Sequence, residues 1–119
     1  MRRLRDAATA RTGLIDSYLS ARHRDAPGTG CAVVTLGAAA GRGEAEMKEA
    51  YEKQVRSYLE LISETADGDD SDEVQADAML TLSAMVGALL MSRAVADPEL
   101  SDQLLQTVAA RLKRAPVNA

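Results

Sequence analysis

Apolar positions recur at helical spacing along most of this chain, most densely between residues 73 and 96. Residues 78–91 carry no charge at all. Val74, Ala78, Leu82, Met85 and Leu89 form one stripe, and Met79, Val86 and Leu90 lie beside it. A surface helix needs a single apolar stripe, so this pattern predicts a helix covered on most sides. At roughly 23 residues it would run about 35 Å, the width of a small domain. The uncharged run is too short to span a bilayer, and Thr81 and Ser83 interrupt it, so a core helix is expected and no membrane anchor. Pro98 disfavours helical dihedrals at Asp97 and suits the first position of a new helix. Asp97 can cap that helix by accepting from the N–H of Glu99 or Leu100. The new helix, 98 to about 114, carries Leu100, Leu104, Leu105, Val108 and Leu112 on its inner side. The two make a hairpin with more apolar surface than one small chain readily covers.

The same periodicity predicts three earlier helices. Residues 2 to about 22 hold Leu4, Ala7, Ala8, Leu14, Ile15, Tyr18 and Leu19 at helical spacing, with arginines mostly opposite. Gly13 interrupts them at a cost of about 1 kcal/mol relative to alanine. Residues 25–30 form a loop rich in glycine and proline. The apolar segment 31–40 could be a strand by its valines. No partner strand exists in the sequence, however, so a short buried helix ending at Gly41 and Gly43 is expected. From 44 to about 65, Met47, Ala50, Tyr51, Val55, Tyr58, Leu61 and Ile62 share one side and Glu44, Glu46, Lys48, Glu49, Glu52 and Lys53 the other. The acidic stretch 66–72 is a solvated loop in which Ser71 or Asp72 caps the helix that follows. The fold class is therefore all-α, five helices in one domain, 1–119, without internal repeat.

Composition narrows the picture. The chain of 119 residues has 46% hydrophobic content, no Trp or Phe and three Tyr, so leucine, valine, alanine and methionine must build the core. A net charge of −4 argues against nucleic-acid binding by bulk charge. Charge is uneven, with Arg2, Arg3, Arg5, Arg11, Arg22 and Arg24 crowding the first segment. No apolar signal core follows the opening arginines, so a soluble cytoplasmic protein is the default expectation.

Candidate chemistry is sparse. Zinc needs several cysteine or histidine ligands, and the chain has one of each, Cys31 and His23. Residues 67–73 lack the ligand order of an EF-hand and read as a solvated acidic cap. Gly28, Gly30, Gly41 and Gly43 match no phosphate-binding fingerprint. No catalytic constellation, metal or cofactor is expected, and the chain does not read as an enzyme. More informative is soft material at inward-facing positions: Tyr18, Met47, Tyr51, Tyr58, Met79 and Met85. Methionine adapts to irregular space, and tyrosine offers an apolar ring with one polar end. Such residues line an adaptable pocket for a small apolar effector, or fill an ordinary core.

Four stretches resemble the C-terminal half of TetR-type transcriptional regulators: Tyr18-Leu-Ser-Ala-Arg-His-Arg-Asp25, Gly30-Cys-Ala-Val-Val-Thr-Leu36, Gln54-Val-Arg-Ser-Tyr-Leu59 and Leu82-Ser-Ala-Met-Val-Gly-Ala-Leu-Leu-Met-Ser-Arg-Ala-Val-Ala-Asp-Pro-Glu-Leu-Ser101. The last is the most specific, an apolar helix running through Arg-Ala-Val into Asp-Pro-x-Leu-Ser. The resemblance implies an all-helical regulatory domain with an effector pocket. It also implies that the last two helices pair with those of a second subunit in a four-helix bundle, which places Val86, Leu89, Leu90, Leu104, Leu105 and Val108 at a homodimer interface. The three-helix DNA-reading domain of that family has no counterpart here, so no DNA binding by this chain itself is expected. A stand-alone helical interaction protein that dimerises and senses nothing is the alternative.

Overall fold

A computed structural model of the chain describes residues 2–26, 41–43, 45–66 and 70–114, with side chains from residue 8 onward. The described residues contain five α-helices and no strand: α1 (Arg2–Tyr18), α2 (Ala21–Arg24), α3 (Ala45–Ser63), α4 (Ser71–Ala94) and α5 (Pro98–Lys113). The short helix expected at 31–40 lies outside the described residues. The count reaches five because the first predicted helix divides in two.

Ser20 causes that division. Its backbone is extended, and its hydroxyl donates to Ser17 O at 2.8 Å while accepting from His23 N at 3.1 Å. A side chain that competes for backbone partners in this way ends one helix and caps the next. His23 Nδ1 lies 2.7 Å from Tyr18 O, which binds the short α2 back to the end of α1. Gly13 leaves α1 unbroken.

Asp70 caps α4, in place of the expected Ser71 or Asp72, by accepting from the N–H groups of Asp72 and Glu73. Asp97 caps α5 by accepting from Glu99 N, with Pro98 at the first helical position, as the sequence predicts. Only residues 95–97 separate α4 from α5, and this pair packs more extensively than any other. The next most extensive packing is that of α3 on α4, while α1 lies across α5 and α4.

The core is centred on α4. Ala78, Thr81, Leu82, Met85, Ala88, Leu89 and Ser92 are buried at spacings of three and four, so a single face of the helix points inward. Ile15, Tyr18 and Leu19, Ile62 of α3, and Leu105 and Ala109 of α5 meet that face. The buried hydroxyls of Thr81, Ser92 and Ser101 keep partners in the manner folded interiors require. Thr81 accepts from Arg11 Nη2 at 3.0 Å, Ser92 donates to Leu89 O at 2.8 Å, and Ser101 donates to Ser92 O at 2.7 Å.

The chain's own helices leave one side of α4 uncovered, in keeping with a hairpin that carries more apolar surface than one small chain covers. Met79, Leu80, Leu90 and Met91 are 49%, 69%, 52% and 49% exposed. By length and composition α4 could cross a membrane, yet its inner face is the middle of a helical core.

Candidate functional site

Three places in the fold combine chemistry with position. The first is the interior between α1, α3 and α4. Tyr18, at the end of α1, is buried, and its ring meets His23 edge-on at 4.8 Å and Tyr58 edge-on at 6.3 Å between centroids. Such T-shaped contacts set a positive ring edge against a negative face. Tyr51 and Tyr58 are half-buried against the core, and Met85 is wholly enclosed. Four of the six residues expected at an effector pocket therefore belong to one region. Met47 and Met79 do not. Met47 is 44% exposed because residues 45–50, the start of α3, are exposed throughout. Met79 stands about a third of a turn away from the stripe that carries Met85, which turns it toward solvent.

The second place is a polar clasp where the end of α2 meets the α4–α5 turn. Arg93 donates from Nε to Arg24 O at 3.1 Å and from Nη2 to His23 O at 2.8 Å, so a cation of α4 binds the carbonyl end of α2. Arg24 in turn reaches Asp25 at 2.9 Å, Asp102 at 2.6 Å and the Ser101 hydroxyl at 3.0 Å. The hydrogen bonds it donates to Asp25 and then to Asp102 push the guanidinium of Arg24 further above its already high range. The same bond from Arg24 holds the Asp25 carboxyl below the usual carboxylate value. Arg24, Arg93, Ser92, Pro98 and Ser101 line an open depression of about 460 Å³ here. Its two arginines are committed to carbonyls and carboxylates, so the arrangement fastens helices together. Residue spacing offered no signal for it, because all its partners but the adjacent Arg24 and Asp25 are 69 to 78 positions apart.

The third place is the outward face of α4. Of the residues expected at a dimer interface, Leu90 lies on this face, and Val86, Leu104 and Val108 are half-buried, Val86 and Val108 against the core. Leu89 and Leu105 are 0% and 4% exposed, enclosed by the chain's own helices. Adjacent leucines on a helix point about 100° apart, so Leu89 and Leu90 cannot share a role. Leu80 and Met91, which the sequence reading did not single out, are among the most exposed large apolar residues. Their signal was present in the spacing, since both lie on the side of the helix away from Met85.

Among the described residues no group of three histidine, cysteine or acidic side chains stands together to hold a metal ion. No family model matches the chain, and no curated protein or solved structure matches it at a significant level.

Proposed function

We propose that this chain is the dimerisation and effector-binding domain of a TetR-type transcriptional regulator, a cytoplasmic homodimer associating through α4 and α5. The observation that carries the proposal is the outward face of α4. It holds four large apolar side chains and no charge between residues 78 and 91, although α4 is also the helix that organises the core. Isolated apolar residues are ordinary on protein surfaces, but a contiguous apolar strip of this kind marks an interaction site. The hairpin of α4 and α5 is the element that the sequence resemblance assigns to self-association.

In this reading a small, mainly apolar effector acts from the interior near Tyr18, Tyr51, Tyr58 and Met85, and the regulator represses transcription in a ligand-dependent way. DNA is read by a different domain, so this chain binds no specific sequence. The second reading, a dimerising interaction protein without a ligand, is favoured by one observation: Met47 and Met79 stand apart from the tyrosines, leaving fewer groups to define a pocket.

Sedimentation at micromolar concentration tests the association. The wild type is expected to be a dimer and Leu90→Asp a folded monomer; a wild-type monomer overturns the proposal. Thermal shift with apolar compounds separates the two readings, because a ligand that binds only the folded state raises the melting temperature saturably.

A further inference from the structure

The outward face of α4 is symmetric in its own sequence. Counting away from the buried Met85 in both directions, residues of the same kind recur at equal distances: Leu80 with Leu90, Met79 with Met91, and Ala76 with Ala94. The innermost outward pair is Ser83 with Gly87, both small. A two-fold axis perpendicular to the helix beside residue 85 exchanges the members of every pair. In an isologous pair built on that axis each residue faces its counterpart in the second copy, so here leucine faces leucine and methionine faces methionine.

We infer that two copies of this chain pack α4 against α4 antiparallel, in the register that sets Leu80 against the partner's Leu90 and Met79 against the partner's Met91. The inference rests on the self-association proposed above and specifies its geometry. Three features favour it. Ser83 and Gly87 sit where the helices cross. A Cβ placed on Gly87 meets nothing within 4 Å of its own chain, so the space left there is open to a partner's backbone. The leucines and methionines on either side of this crossing are 49% to 69% exposed and interlock across it.

Charge selects the direction. Asp70, Asp72 and Glu73 stand at the start of α4. An antiparallel pair sets the acidic ends of the two helices far apart and opposes the two helix dipoles. A parallel pair would crowd the carboxylates of both N-termini together.

Disulfide trapping tests the register. In a Cys31→Ser background, Leu80→Cys and Leu90→Cys are produced separately and co-expressed, then mildly oxidised. In the inferred register, copies of either single variant hold their thiols about 15 Å apart along the helices, beyond disulfide reach. Co-expressed chains place one thiol opposite the other. The expected result is cross-linking at least tenfold stronger in the mixture than in either variant alone, repeated with Met79→Cys and Met91→Cys. Single variants that cross-link as well as the mixture overturn the register, and so does a mixture that stays uncrosslinked while sedimenting as a dimer; self-association then stands. A wild type that sediments as a monomer overturns both.

Discussion

Arg11 shows how one residue ties distant parts of this chain. It donates from Nη1 to Asp77 at 3.0 Å and from Nη2 to both Asp77 and Thr81, joining α1 to α4 in a forked contact. Arginine does this because its planar guanidinium offers several donors in fixed geometry. Arg11→Ala leaves the buried Thr81 hydroxyl and the Asp77 carboxylate without these partners. It is expected to cost roughly 1–3 kcal/mol, read as a lower urea midpoint with unchanged slope. The Arg24–Asp25 pair predicts a pH effect. Because Arg24 lowers the Asp25 value in the folded state, this contribution to stability is complete above the ordinary aspartate value of 3.8. It is lost as pH falls through the folded value. Asp25→Asn should therefore flatten the acid limb of the melting curve below about pH 4; a variant whose melting temperature falls in parallel with the wild type would disconnect the pair from folding. The arginine-rich start was plain in the sequence. Which carboxylates Arg11 and Arg24 meet was not, since these contacts span 66 and 78 positions.

At the scale of elements, helix ends were the most legible feature. Pro98 and Asp97 fix the start of α5 through local sterics and one side-chain acceptor, and the structure has both. The break at Ser20 was missed because Leu14, Ile15, Tyr18 and Leu19 keep apolar spacing up to it, while the interruption comes from one hydroxyl serving two backbone groups. The division of labour within α4 yields a paired prediction. Leu89→Ala opens a cavity in the core and should cost about 2–5 kcal/mol at any protein concentration. Leu90→Asp should leave the helical spectrum of the monomer intact and abolish the dimer in sedimentation. If both changes unfold the chain equally, the separation of an inner and an outer face of α4 is wrong.

For the whole molecule, an interface on its central helix would make folding and association share one element. The melting temperature of the wild type is then expected to rise with protein concentration, since dimerisation stabilises the folded state by mass action. A melting temperature independent of concentration over two decades would count against self-association. The sequence by itself determined that the chain is helical, where most helices start and stop, and that α4 carries more apolar surface than a single stripe. Those properties arise from local propensity, capping and a period of 3.6 residues, all readable over short spans. Only the tertiary structure decided which apolar residues this chain covers for itself. Ile15, Ile62, Leu89 and Leu105 come together from four segments, and their enclosure leaves Leu80, Leu90 and Met91 outside. Periodicity marks a residue as apolar and places it on a helix, but the neighbouring helices choose the buried face, because burial depends on contacts between segments far apart in the chain.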